Sequence, residues 1–110
     1  MRLISGEDLK RKLDEGDDLK LVFVLGEWAY QAMHIPGSIH VDAPEKAAEL
    51  LDKDDQIVVY CTNVTCRASR YAYDLFVQNG YKNVRRYAGG LEDWEEAGYP
   101  LAGEMAPRLE

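Results

Sequence analysis

The sequence predicts an α/β fold, a three-layer α/β/α sandwich around a five-stranded parallel sheet. Short apolar runs alternate with stretches of helical spacing along the chain, as successive βα units do. Two of those runs, residues 20–25 and 56–60, are nearly continuous in apolar side chains, the mark of strands covered on both faces. A length of 110 residues at 46% hydrophobic content supports one ordinary core, so a single domain is expected over residues 1–104.

The elements follow in order. Residues 2–4 form a brief first strand. Ser5 is an N-cap with Asp8 three positions on, a variant of the capping box, and opens a helix through Leu9 and Leu13 to about Glu15. Gly16-Asp17-Asp18 breaks it, and the strand at 20–25 runs until Gly26. Residues 27–33 suit a short helix. Ile35-Pro36-Gly37 is turn punctuation before a small strand at 38–41. Pro44 fits the first turn of a helix reaching Leu51, because its missing N–H is not needed there. Residues 52–55 make a charged turn before the strand at 56–60. From Arg67 the spacing is helical, with Ala68, Ala72, Leu75 and Phe76 on one face and Asn79-Gly80 as the C-terminal cap. A last strand at 83–87, a tight turn at Gly89-Gly90 and a short helix at 91–97 complete the pattern. Residues 105–110 read as a frayed tail, and Leu109-Glu110 has the look of a cloning scar.

Charge narrows the function classes. Thirteen Lys and Arg against twenty Asp and Glu give a net charge of −7, the wrong sign for the clustered basic face of a nucleic-acid binder. No apolar run approaches the roughly 18–20 residues of a membrane span. The N-terminal stretch turns acidic at once and lacks the apolar core of a signal peptide, so the expected address is cytoplasmic. There, Cys61 and Cys66 in one short segment imply reactivity or metal binding more than a structural staple. Two thiols with no histidine near them in sequence do not make a zinc site, so neither a metal nor an organic cofactor is expected.

In open parallel sheets ligands bind beyond the carboxyl ends of the strands. Cys61 stands there, directly after Tyr60. Thr62, Asn63, Val64, Thr65 and Cys66 form a compact loop, Arg67 adds a cation at its end, and a helix then begins. Loop amides turned inward and the positive end of a helix both stabilise an anion, whether a bound oxyanion or the Cys61 thiolate. Strand, Cys, loop, Arg and helix together make a cradle for a nucleophilic thiolate.

Four segments, in order, resemble the rhodanese-like superfamily of sulfurtransferases, and they span residues 4 to about 101. His34-Ile35-Pro36-Gly37-Ser38-Ile39 is similar to that family's upstream signature, and Ile57-Val58-Val59-Tyr60-Cys61 to its active-site strand and nucleophile. Gly80-Tyr81-Lys82-Asn83-Val84, followed by Gly89-Gly90-Leu91-Glu92-Asp93-Trp94 and Gly98-Tyr99-Pro100, resembles its closing signature. The resemblance implies a five-stranded parallel sheet and a Cys61 that accepts a sulfane sulfur as a persulfide. The implied partners are a small anionic sulfur donor, such as thiosulfate, and a thiol, cyanide or protein acceptor. Three features depart from the family pattern. Its loop commonly runs six residues from Cys to a basic residue, whereas Cys61 to Arg67 is seven. Phe23-Val24-Leu25 replaces a usual Asp-Val-Arg, and Met33 precedes His34 where Gly is usual.

The spacing from Cys61 to Arg67 also reads as Cys-x5-Arg, which resembles the phosphate loop of cysteine phosphatases. A phosphatase or arsenate reductase is therefore the alternative enzyme, with Glu27 and Asp42 as the nearest acids to protonate a leaving oxygen. A non-catalytic or redox-switch binding module is the third class. Two roles stay open for Cys66: a resolving thiol that forms a disulfide with Cys61, or a small residue packed at the helix start. His34 and His40 read as structural hydrogen-bonders, and Trp28 and Tyr30 as lining the pocket mouth or as helix packing. Trp94 reads as core, and Arg85 and Arg86 include at least one solvated strand residue. The acidic runs at 45–55 and 92–96 are solubilising faces.

Overall fold

Ser5 opens the first helix as its sequence signal requires: its Oγ accepts the Asp8 amide at 3.1 Å, and α1 spans Gly6–Asp14. In the computed structural model, which describes residues 1–63 and 65–105 and Pro44 by its backbone alone, the remaining elements follow in the expected order. They are β1 (Leu19–Phe23), α2 (Glu27–Ala32), β2 (Ile39–His40), α3 (Pro44–Leu50), β3 (Gln56–Tyr60), α4 (Ala68–Gln78), β4 (Asn83–Tyr87) and α5 (Gly90–Glu96).

Among the described residues the sheet has four strands, not five, in the order β2-β1-β3-β4 with every pairing parallel. The expected first strand at residues 2–4 contributes one bridge, Leu3 to Arg86, flanked by the Arg86 amide on the Arg2 carbonyl (2.9 Å) and the Ile4 amide on the Arg86 carbonyl (3.1 Å). The physical reason lies one residue on, because Ser5 caps α1 and leaves too few extended residues for a ladder. β1 likewise stops at Phe23 rather than residue 25, although the Val24 amide still reaches the Tyr60 carbonyl at 3.4 Å. Residues 106–110, most of the expected tail, lie outside the described residues. Met105, assigned to that tail, donates its amide to the Ala32 carbonyl at 2.8 Å.

Strand alternation feeds two separate apolar clusters. Leu21, Phe23, Val58, Tyr60 and Tyr87 join Leu9 of α1 and Trp94 of α5, with Ala29 and Tyr30 of α2 packed against them. Val22, Ile57, Val59 and Val84 join Ala47 of α3 and Tyr73 and Phe76 of α4. Residues of α1, α2 and α5 thus join one cluster and residues of α3 and α4 the other. Cys61 follows β3 directly, beyond the carboxyl ends of the strands, where such sheets bind ligands.

The segment before β2 is fastened to the centre of the sheet. The buried Tyr60 hydroxyl accepts the Ile35 amide at 2.9 Å and pairs with Ser38 Oγ at 2.8 Å, while Ser38 Oγ donates to the Ile35 carbonyl. This fixes the Ile35-Pro36-Gly37-Ser38 turn to the residue preceding Cys61. Burial pushes the Tyr60 phenol well above its ordinary pKa, so it stays neutral at physiological pH.

Candidate functional site at the end of the central strand

Cys61 directly follows β3, with only 1% of its surface exposed. Its sulfur is joined to Cys66 in a disulfide, with Cα atoms 6.4 Å apart across a separation of five residues. The structure thus joins the two thiols that the sequence placed in one loop. Cys66 is half-buried, and Thr62, Thr65 and Arg67 are exposed. Val64, expected to help line the loop, lies outside the described residues.

The loop is shaped by its own polar residues. Asn63 Oδ1 accepts the Thr65 amide at 3.1 Å and the Thr65 hydroxyl at 2.7 Å, an Asx turn, and the Asn63 carbonyl accepts the Cys66 amide at 3.1 Å. In this oxidised form the Thr65 and Cys66 amides are therefore bound to Asn63 rather than offered to an anion. α4 begins at Ala68 with no side-chain cap from Arg67 and no acidic residue in its first turn. The positive end of an eleven-residue helix thus abuts the loop without a compensating carboxylate.

Two further elements grip the site from below. The Cys61 carbonyl accepts the Leu91 amide at 3.0 Å, and the Thr62 carbonyl accepts the Glu92 amide at 2.8 Å, so the first turn of α5 holds the backbone of Cys61 and Thr62. This contact explains the glycine pair at 89–90. Gly90 has φ of 62°, and a Cβ there would stand 2.4 Å from the Cys61 carbonyl oxygen. Of Arg85 and Arg86, at least one of which was expected on a solvated face, Arg86 turns toward the site. Its side chain is half-buried, donating through Nε to Ser69 Oγ at 2.9 Å and through a terminal nitrogen to the Cys66 carbonyl at 3.4 Å. The available signal was parity: Arg86 shares its side of β4 with buried Val84.

The other singled-out residues divide clearly. His34 Nδ1 meets the Tyr30 carbonyl at 2.7 Å, and His40 Nε2 meets the Leu25 carbonyl at 2.7 Å, so both histidines hydrogen-bond the backbone as expected. The Tyr30 ring stacks with both imidazoles, at centroid distances of 4.0 and 5.3 Å, and its hydroxyl donates to the Ser38 carbonyl at 2.8 Å. Trp28 does not pack; 79% of it is exposed. Trp94 is core. Partial burial pushes the Asp42 carboxyl up, but the hydrogen bond and charge of Lys46, with the nearby His40, outweigh it and hold the carboxyl below its ordinary value. A leaving-group acid needs the opposite shift. Among the described residues no helix is long and apolar enough to cross a membrane, and no cluster of three or more His, Cys, Asp or Glu could hold a metal ion.

Comparison with known proteins matches this arrangement. A family model described as the rhodanese-like domain covers residues 5–97. The HTH-type transcriptional regulator Rv0324 of Mycobacterium tuberculosis is 35% identical over 106 residues, covering 94% of this chain and 46% of that protein. Sulfur carrier protein TtuD of Thermus thermophilus is 30% identical over 118 residues, covering 90% of this chain and 39% of that protein. The chain spans less than half the length of the curated relatives it matches. The crystal structure of protein BH2092 from Bacillus halodurans superposes with a TM-score of 0.88 at 26% identity, covering 96% of this chain and 79% of that one. With the model match extending from the cap of α1 past the end of α5, the chain belongs to the rhodanese-like domain family.

Proposed function

We propose that this domain is a sulfurtransferase that moves a sulfane sulfur through a persulfide on Cys61. The observation that carries the reading is the position of Cys61, buried directly after β3 and bonded to Cys66, two residues before the uncapped N-terminus of α4. Membership of the rhodanese-like family and similarity to a protein named as a sulfur carrier support it. The three-layer α/β/α arrangement and the single domain over residues 1–104 belong to the same proposal, with the two apolar clusters as their support.

The chemistry starts from the reduced pair. The Cys61 thiolate attacks the outer sulfur of a donor such as thiosulfate, and sulfite leaves with the electron pair of the broken S–S bond. The new terminal sulfur carries the negative charge, which the α4 dipole and the Arg67 and Arg86 guanidinium groups favour. Thr62, Asn63, Val64, Thr65, Cys66 and Arg67 form the anion-binding loop in this reading. Cyanide, a thiol or a protein acceptor then attacks the terminal sulfur and regenerates the thiolate. The cytoplasm, where thiols are kept reduced, suits the reaction. The phosphatase alternative would draw its acid from Glu27 or Asp42, and the Lys46 pairing that holds the Asp42 carboxyl low suits a proton donor poorly.

The test is thiocyanate formation from thiosulfate and cyanide after full reduction, beside the intact mass of the thiosulfate-treated chain. Wild type should form thiocyanate, the Cys66→Ser chain should gain one sulfur atom, and Cys61→Ser should do neither. Undiminished activity in Cys61→Ser overturns the assignment. Turnover of an aryl phosphate requiring Cys61 and Arg67, with no sulfur gain, would substitute the phosphatase.

A further inference from the structure

The Cys61–Cys66 bond has a consequence for the fate of the transferred sulfur. Any geometry that permits this disulfide also brings the Cys66 sulfur within reach of Cys61 Sγ while Cys61 carries its load. The backbone accommodates the bond with its neighbours in place: the Cys61 carbonyl keeps its Leu91 amide and the Tyr60 carbonyl its Val24 amide. Cys66 itself is held on both sides, its amide by the Asn63 carbonyl and its carbonyl by Arg86.

Resting on the persulfide reading above, we propose that Cys66 is the domain's built-in sulfur acceptor, which discharges the Cys61 persulfide as hydrosulfide. The Cys66 thiolate attacks Cys61 Sγ, the inner sulfur. The bond between Cys61 Sγ and the terminal sulfur breaks, and the terminal sulfur leaves with the electron pair as HS⁻. Cys61 and Cys66 end as the disulfide. The sulfane sulfur is reduced by two electrons and the two cysteine sulfurs are together oxidised by two, so the step balances without an external oxidant.

Re-arming requires a dithiol, and burial selects where it enters. Cys61 is 1% exposed and Cys66 half-buried, so the incoming thiolate attacks Cys66 Sγ and expels the Cys61 thiolate. The leaving group departs beside the α4 N-terminus and is the nucleophile that the next donor needs. The partner this chemistry calls for is therefore a small dithiol protein or low-molecular-weight dithiol, and the product is hydrosulfide rather than a sulfurated acceptor.

The experiment uses the full chain, reduced and freed of reductant without oxygen, then given thiosulfate or glutathione persulfide. Released hydrosulfide is trapped and the intact mass is read. Wild type should release about one hydrosulfide per chain and finish two hydrogens lighter than the reduced protein. Cys66→Ser and Cys66→Ala should instead hold one extra sulfur and release none until thiol is added. With dithiothreitol present, wild type should release hydrosulfide about tenfold faster than either variant when the added thiol is kept tenfold below the millimolar effective concentration of a tethered group. Should wild type retain its extra sulfur as stably as the Cys66 variants do, the internal acceptor is overturned while the persulfide stands. Failure of folded Cys66 variants to gain sulfur from either donor would overturn the persulfide and, with it, this discharge. Limited glutathione added to the oxidised protein should form a mixed disulfide on Cys66; a mixed disulfide on Cys61 would overturn the entry point.

Discussion

Gly90 shows how far the chemistry of Cys61 depends on a residue that carries none. A side chain at position 90 meets the Cys61 carbonyl at 2.4 Å, and the backbone there is left-handed. Gly90→Ala should therefore lower stability by about 1–3 kcal/mol, read as a fall in urea midpoint at constant slope. Sulfur transfer should fall with it, because the displaced carbonyl belongs to the nucleophile. Cys61 itself was legible in the sequence from its place directly after the most apolar strand. Its bond to Cys66 was left open, because spacing alone does not say whether a loop turns two sulfurs together or apart. Asn63 makes that turn, and an Asn two residues before Thr is a recognisable signal for it. Which of Arg85 and Arg86 turns inward was left open, because the pair looks alike in a strand until the buried Ser69 hydroxyl of α4 is known to face Arg86.

Whole elements were easier to anticipate than their ends. Among the described residues five helices occur where the sequence put them, and α1, which Ser5 caps, is the clearest case. Ser5→Ala leaves the Asp8 amide without its acceptor and should cost about 1 kcal/mol in thermal or urea unfolding, with Ser5→Asn recovering most of it. A Ser5→Ala protein as stable as wild type would mean that α1 is held by Leu9 and its packing alone. The same cap explains the missing fifth strand: a local hydrogen bond at Ser5 outcompetes extension of residues 2–4, which the propensity of Leu3 and Ile4 favoured. β2 is similarly short because the Ser38 amide and hydroxyl both turn back to the Ile35 carbonyl instead of extending the ladder. Side chain-to-backbone competition of this kind decides boundaries, and periodicity does not register it.

At the scale of the whole molecule, the buried tyrosines set an alkaline limit. Tyr60 and Tyr87 have an ordinary pKa of 10.0, raised in the folded state first by burial and, for Tyr87, further by the Asp93 carboxylate that its hydroxyl faces. The folded chain thus keeps protons that the unfolded chain loses above pH 10. Their contribution is full below that pH and is lost as pH rises toward the folded values. Urea midpoints should be flat in these groups up to about pH 10 and fall beyond it. Tyr60→Phe should flatten part of the fall while lowering the neutral-pH plateau, because the Ile35 amide and Ser38 hydroxyl lose their partner. An unchanged alkaline slope in that variant would remove Tyr60 from the account. A different kind of independence follows from the smallness of the ring that Cys61 and Cys66 close. A loop of six residues restricts the unfolded chain by only about 2 kcal/mol, a minor share of the 5–15 kcal/mol typical of a domain. Neither apolar cluster includes Cys61 or Cys66. Under the proposed discharge, breaking that bond would remove about that much stability and leave both clusters packed, so one scaffold would serve both oxidation states.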